Sequence, residues 1–284
     1  MRAGAHPFDP PAAAVREVVS RALAEDVLPM GDLTASLLDA DLVATASVVS
    51  RAAGVLAGSA GFTEAFAQVD AGVSVRWAAE DGDAVHPGAE VCQVAGPLAS
   101  ILVAERTALN LLCHLSGVAS LTRRFVDAVG TSPTQVLDTR KTLPGLRALQ
   151  KAAVRAGGGF NHRAGLSDMV LVKDNHRAVL GISEAVARAR RRWPFRPVEV
   201  ECETVHHVRE AVAAGATAVL LDNMTPARVR ECVSEVAGRA LTEASGGVTL
   251  RTVGAYAAAG VDFVSVGALT ASAPSLDVGL DLGA

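Results

Sequence analysis

The second half of the chain predicts an α/β fold built on parallel strands, either a (β/α) barrel or an incomplete relative of one. Two observations carry this. After Thr134, six short apolar runs (TQVLDT, DMVLVK, VEVECE, AVLLDN, ALTEAS and FVSVGA) each end in polar or glycine residues. Helical patterns lie between the later runs, at Glu184–Arg192, Val205–Ala214, Pro226–Ala237 and Thr249–Ala259. The last four runs recur at roughly 20-residue intervals, which suits strand–helix units and a parallel sheet.

The first half reads differently. A helix is expected from about Pro11 to Asp26, with Val15, Val18, Val19, Ala22 and Leu23 at helical spacing, and Pro29-Met30-Gly31 ends it. Val43–Arg51 alternates like a strand, and Gly54 and Gly58 bound the short run VLA. A short helix at Gly61–Val69 and a strand at Val73–Ala79 follow. The segment EDGDAVHPGAEVCQVAG reads as turn, strand, Pro-Gly turn, strand, and so as part of a small antiparallel sheet. Its likeness to biotinyl and lipoyl carrier hairpins stops at the absence of a lysine to modify. From Pro97 to Val129 the pattern is helical, with Leu102, Leu109, Leu112 and Leu115 as an apolar stripe and Gly117 as the expected break. Arg106 sits in that pattern at AERTALNLL, where a helical arginine ordinarily snorkels.

Composition narrows the function classes. The 284 residues are 50% hydrophobic and 20% charged, with a net charge of −4, so the chain has material for a core and no polycation to bind nucleic acid. The start, MRAGAHPFDPPAAAV, lacks the apolar core of a signal peptide, and no apolar run is expected to approach a membrane span. Cys92, Cys113, Cys202 and Cys232 are dispersed without a CxxC pair, which suits reduced, buried cysteines in a cytoplasmic protein.

Lysine usage points to chemistry. The only lysines are Lys141, Lys151 and Lys173, all within one segment, DTRKTLPGLRALQKAAVRAGGGFNHRAGLSDMVLVKDN, while arginine serves elsewhere. A compact ammonium does what a planar guanidinium cannot, so two of these positions are candidates for a site. If the strand runs close into a barrel, their C-terminal ends converge on one mouth. Those ends carry Thr139-Arg140-Lys141, Lys173-Asp174-Asn175, Glu201 with Glu203, Asp222-Asn223, Glu243 with Ser245-Gly246-Gly247, and Gly267-Ala268. Arg140, Lys141, Arg163 and Lys173, with His162 beside them, would form a cationic wall for phosphates or a compact dicarboxylate. Glu201 and Asp222 are placed to hold Mg²⁺ or ribose hydroxyls. Ser245-Gly246-Gly247 and Gly267-Ala268 suit a terminal phosphate, through free backbone N–H groups. No Ser/His/Asp arrangement, recognisable cysteine nucleophile or GxGxxG loop after a strand is present, so electrostatic catalysis on phosphorylated substrates is the expectation.

Other polar groups have plainer readings. Taken singly, strand-end acids are commonly caps, His162 a packed histidine, and Gly157-Gly158-Gly159 a flexible loop. His206-His207 falls on a predicted helix and reads as surface. Thr142 is the expected cap of a helix that has Pro144 in its first turn and runs to about Ala156. Arg147, Lys151 and Arg155, four apart and opposite Leu146, Leu149, Ala153 and Ala156, read as a solvated outer face or a subunit contact.

The blocks DTRKTLPGLRALQK, AGGGFNHRAGLSD and LVKDNH, with AERTALNLLCHLSG before them and VEVE, LLDN, EASGG and VGALT after, resemble the quinolinate phosphoribosyltransferase family from about Gly31 to the end. The TRKTxPGLR and LVKDNH blocks are specific; VGA and SGG alone are not. The resemblance implies an N-terminal open α/β sandwich domain at 1–115, joined by the C-terminal segment 272–284, and an incomplete (β/α) barrel at 116–271. It implies phosphoribosyl transfer from phosphoribosyl pyrophosphate to quinolinate with Mg²⁺, giving nicotinate mononucleotide, pyrophosphate and CO₂ in NAD synthesis. It also implies a homodimer or higher assembly, with Arg106 entering the partner's site. By motif, Arg140, His162 and Arg163 would grip the quinolinate carboxylates, and Lys141 and Lys173 would act near the reacting centre. Glu201 and Asp222 would serve ribose and metal, Thr139 would join the ligand contacts, and Ser245, Gly246, Gly247, Val266, Gly267 and Ala268 would bind the 5-phosphate. The family motif reads VGALTHS where this chain has Ala271, which removes one expected phosphate contact. Three rivals remain at this level: a related phosphoribosyltransferase acting on nicotinate or another base, a Schiff-base barrel lyase using Lys141 or Lys173, and a non-catalytic phosphate-binding module.

Overall fold

A computed structural model describes residues 9–283, so the first eight residues, part of the stretch read for a signal peptide, lie outside the described chain. The described residues form two compact units, one of 9–123, 142–158 and 269–283, the other of 124–141 and 159–268.

The first unit holds α1 (Ala12–Val27), β1 (Val43–Ser50), β2 (Gly54–Val55), α2 (Ser59–Val69), β3 (Ser74–Trp77), β4 (Ala84–Val85) and β5 (Glu90–Pro97). α3 (Leu98–Val129) begins in it and runs into the second unit. Val15, Val19 and Leu23 recur every fourth residue, so α1 buries one stripe, and it packs on α2. Phe62 of α2 stacks against Phe66 at 5.1 Å and edge-on to Trp77 of β3 at 5.4 Å. The antiparallel sheet has the order β12-β1-β5-β3, with β12 (Val278–Leu282) contributed by the far end of the chain. Ala46, Val48 and Ser50 alternate inward along β1, and Val48 faces Leu280 on one side and Cys92 on the other. β4 and β5 do not form the hairpin that the Pro-Gly turn suggested. β4 pairs with β2 instead, and the edge of β2 is finished by α3: Ser120 Oγ accepts from the Val55 N–H at 2.8 Å and Ser116 Oγ from the Ala57 N–H at 3.0 Å.

Gly117 does not break α3. The helix is continuous because this glycine serves a close approach: a Cβ there would lie 2.0 Å from the Pro274 carbonyl oxygen. The uninterrupted helix is long and apolar enough to cross a membrane by length and composition, whereas a break at Gly117 had concealed that length. In this unit its apolar positions, Ile101, Ala104, Ala108, Leu112 and Leu115 among them, are buried in the protein's own core.

α4 (Arg147–Ala156) also belongs to the first unit and overturns one expectation. Residues 149–154 are all buried, so the helix has no solvated face, and Lys151 is 4% exposed; Arg147 and Arg155 are half-buried. Gln150 fixes its place. The side chain is fully buried, accepts from the Leu143 N–H at 3.0 Å, and donates to the Thr270 carbonyl and to His114 Nε2, both at 2.8 Å. Burial pulls His114 below the usual histidine range, which favours the neutral ring that this acceptor role needs. Thr142 is not the cap, since the helix opens after Leu146 and Thr142 Oγ1 accepts from Arg147 Nε at 3.1 Å.

The second unit carries β6 (Gln135–Leu137), β7 (Val170–Val172), α5 (Asp174–Leu180), α6 (Ile182–Arg192), β8 (Val198–Cys202), α7 (Val205–Ala213), β9 (Ala218–Asp222), α8 (Pro226–Val236), β10 (Leu241–Ser245), α9 (Val253–Ala257) and β11 (Phe263–Ser265). Its last helix, α10 (Ala268–Ala271), leads back to the first unit. All six sequence runs are strands. They form one parallel sheet in the order β6-β11-β10-β9-β8-β7, with β6 and β7 unpaired to each other, so the barrel is incomplete. Thr204 and Thr225 cap α7 and α8, accepting from the N–H groups of His207 and Arg228. On the open side the chain after α4 lies along β6: the Phe160 N–H donates to the Val136 carbonyl, and the Asp138 N–H to the Phe160 carbonyl. Asp138, fully buried just past β6, accepts from Asn161 Nδ2 at 2.7 Å and the His162 N–H at 2.9 Å. The glycine stretch 157–159 is therefore a bound lead-in to this segment, not a free loop.

Two stability outcomes follow from this packing. Gly117→Ala should lower the unfolding free energy by about 1–3 kcal/mol, as overpacking does, read as a lower denaturant midpoint. Asp138→Ala strands two donors and should cost about 1–3 kcal/mol, with faster amide hydrogen exchange confined to residues 160–163.

Candidate functional site

Strand alternation builds the site. Residues two apart share a face, so Leu171 and Lys173, Glu199 and Glu201, Leu220 and Asp222, and Glu243 and Ser245 come in pairs from β7 to β10. Glu203, named with Glu201 from the sequence, lies past the end of β8, is exposed and meets Arg177 at 3.0 Å; on the strand itself Glu199 is the partner of Glu201. His207 joins Arg177, its Nδ1 lying 2.6 Å from the guanidinium, so it is part of that half-buried network; His206 is exposed as expected.

At the C-terminal ends of the strands a cavity of about 310 Å³ opens. It gathers Thr139, Arg140, Lys141, His162, Arg163, Lys173, Glu201, Asp222 and Ser245, which is most of the expected constellation, within a single unit. Leu171, Leu220, Glu243 and Ser265 complete the lining. Gly246, Gly247, Val266, Gly267 and Ala268 do not line it. Gly246 and Gly247 both have positive φ, at 89° and 63°, and a Cβ on Gly246 would lie 2.2 Å from Asn223 Oδ1, so the SGG and LDN turns lock together. A Cβ on Gly267 would stand 3.1 Å from Lys141 Cδ, so that glycine makes room for the lysine. Val266 is buried and ties β11 to β6 by donating to the Leu137 carbonyl. Arg106 lies on α3 in the first unit, its side chain 66% exposed, 3.9 Å from Glu105.

The charges are arranged in two groups. Burial and the neighbouring Arg140 both work against the Arg163 guanidinium, with Glu199 and Asp168 supporting it, so two crowded cations face the cavity. Among the described residues, Arg140 Nε is buried without a hydrogen-bond partner. On the acid side, burial pushes Glu201 above the usual carboxylate range, Lys173 at 3.9 Å opposes that, and Asp222 adds to it. Two mutually repelling hard-oxygen donors beside open space suit Mg²⁺, and these carboxylates fit that ion on their chemistry.

Beneath the cationic side lies a group that sequence reading divided. His162 Nε2 is 3.1 Å from Glu199 and 3.4 Å from Glu243, and the donor atoms of all three lie within 4.8 Å of one another. The Arg163 N–H donates to His162 Nδ1 at 2.8 Å. Burial disfavours a charged ring and the two glutamates favour one, but the Arg163 N–H aimed at Nδ1 leaves no room there for a second ring hydrogen. Since Nδ1 faces a donor, the ring hydrogen sits on Nε2, between the carboxylates. Burial, then the charge of Glu243, raises Glu199 to about 6. Glu199 was legible as a charge inside an apolar strand, two residues before Glu201.

With this geometry in place, comparison with known proteins is direct. The family model for the quinolinate phosphoribosyl transferase N-terminal domain matches residues 32–116, and that for the C-terminal domain matches residues 118–281. The nicotinate-nucleotide pyrophosphorylase [carboxylating] of Mycobacterium leprae is 43% identical, over 95% of this chain and 97% of that protein. The chloroplastic enzyme of the same name from Arabidopsis thaliana is 39% identical, over 98% of this chain and 86% of its own. The solved nicotinate-nucleotide pyrophosphorylase from Francisella tularensis superposes with a TM-score of 0.93 at 38% identity, covering 98% of this chain and 99% of that one. The chain belongs to the quinolinate phosphoribosyltransferase family.

Proposed function

We propose that this chain transfers the phosphoribosyl group of phosphoribosyl pyrophosphate to quinolinate with loss of CO₂, forming nicotinate mononucleotide and pyrophosphate for NAD synthesis. The observation that carries this is one cavity that gathers Arg140, Lys141, Arg163 and Lys173 with Glu201 and Asp222. Two guanidiniums side by side favour a dicarboxylate over the monocarboxylate nicotinate.

The pyridine nitrogen has a free lone pair, so attack on the ribose C1 needs no general base. It needs alignment with C1 and charge stabilisation as pyrophosphate leaves, which Lys141 and Lys173 supply as preorganised cations. Glu201 and Asp222 hold the ribose hydroxyls and would hold Mg²⁺, which neutralises the pyrophosphate when bound. The pyridinium then accepts the electron pair of the breaking C–CO₂ bond, and a proton replaces the carboxylate on the ring. The guanidinium wall keeps the substrate in register through both steps. We further infer a homodimer or higher assembly in which the exposed Arg106 reaches a partner's site. The cytoplasm suits a chain whose four cysteines are all free.

Incubation with quinolinate, phosphoribosyl pyrophosphate and Mg²⁺ should release CO₂ and nicotinate mononucleotide. Turnover of nicotinate in its place would favour the related transferase, and a borohydride-trapped carbonyl adduct on a lysine would favour the lyase. Lys141→Ala and Lys173→Ala should each lower kcat by ~10²-fold or more, with the fold intact by circular dichroism. Near-normal turnover in both would remove the lysines from the reaction.

A further inference from the structure

The His162, Glu199 and Glu243 group has no place in the bond-making steps, yet it is the most deeply buried set of ionisable groups around the cavity. The side chains of Glu199 and Glu243 are 2% and 4% exposed, and that of His162 is 9% exposed. Buried polar groups at this depth persist when their hydrogen bonds fix something specific. Here the direction of each bond identifies what is fixed. The Arg163 N–H points at Nδ1, so His162 presents an acceptor toward the peptide that carries the wall arginine. That leaves Nε2 as the donor, and both of its neighbours are carboxyl groups. Both ring nitrogens are thus engaged within the protein. In this arrangement His162 is the link between the buried acids and Arg163.

We propose that Glu199, assisted by Glu243, is a positioning residue: it holds His162 in its Nε2–H tautomer, so that Nδ1 anchors the Arg163 main chain and sets the guanidinium beside Arg140. The segment 159–163 gives this anchor its leverage. It is held at Phe160 by the bridge to β6 and at Asn161 and His162 by Asp138. After that, the Arg163 N–H to His162 bond is the next tie before the exposed stretch 164–168, where Asp168 takes the N–H groups of Ala164 and Gly165. Without the acids the imidazole is free to turn or to change tautomer, and Nδ1 no longer meets the peptide donor. On the flanking strands Glu199 stands beside Leu171 of β7 and Ala218 of β9, so without it only Glu243 is left near Nε2, at the longer 3.4 Å. Arg163 would keep its charge and lose its register. That defect is felt by the carboxylated ring and not by the phosphoribosyl donor.

The reading rests on the proposed dicarboxylate substrate, and the experiment separates the two. Nitrogen-15 spectra of the wild-type protein, with His162 assigned by difference against His162→Gln, should show Nε2 protonated and Nδ1 unprotonated, whatever the substrate is. Glu199→Gln keeps an acceptor for Nε2 and should retain that tautomer and most of the activity. Glu199→Ala should lose it and raise the KM for quinolinate at least tenfold, leaving the KM for phosphoribosyl pyrophosphate and kcat within about threefold. A wild-type ring protonated on Nδ1 would overturn the proposal. So would Glu199→Ala with an unchanged quinolinate KM, or with both KM values raised alike. Should Glu199→Ala not fold, the same split is read from Glu199→Leu, and the tautomer from wild type and Glu199→Gln alone. Failure of quinolinate turnover by the wild type, with the tautomer as expected, would strike the proposed substrate and leave the hydrogen-bonded anchor standing.

Discussion

Repulsion between like charges is the constraint the catalytic unit is built to manage. Four basic side chains, Arg140, Lys141, Arg163 and Lys173, line one cavity of about 310 Å³. Side chains in such a cluster splay apart or swing into solvent unless something opposes them. The parallel strands supply the opposition through their period of two. Glu199 and Glu201 on β8, Asp222 on β9 and Glu243 on β10 all emerge on the same face, spread over three neighbouring strands. The acids divide by depth: Glu199 and Glu243 are buried under the guanidiniums, whereas Glu201 and Asp222 are only half-buried. The upper pair can meet a cation or a sugar, and Glu199, which does not line the cavity, braces from below.

Much of this was legible in the sequence because periodicity and position carry it. The six runs became six strands, and the residues just past them became the cavity wall. What sequence could not give was face and depth. Glu199 and Glu201 differ by one alternation in a run that is apolar between them, and only the register against β9 shows that both point inward. Asp138 opened the lysine-bearing segment but drew no attention, because its value lies in accepting from Asn161 and His162, a contact over more than 20 residues of chain.

The misread positions share a cause. Gly117 looked like a helix break because glycine usually weakens helices, but the backbone of Pro274 passes so close that no side chain fits. Lys151 looked solvated because its helix has an amphipathic pattern, but α4 is buried from 149 to 154 with Gln150 bonded to His114 and Thr270. In both cases a tertiary contact from distant chain overrode a local preference. The hairpin expected at Pro87-Gly88 failed for a related reason: β4 found its hydrogen bonds on β2, whose other edge α3 covers with serine hydroxyls.

The rarity of lysine has a practical side. Reagents that acylate primary amines have three lysines to choose from, apart from the terminal amine, and Lys151 is buried. Lys141 and half-exposed Lys173 are left, and both face the cavity. Amine-directed dyes, crosslinkers and resins that react with lysine will therefore mark this protein at its cavity, and a ligand seated there will shield it from them.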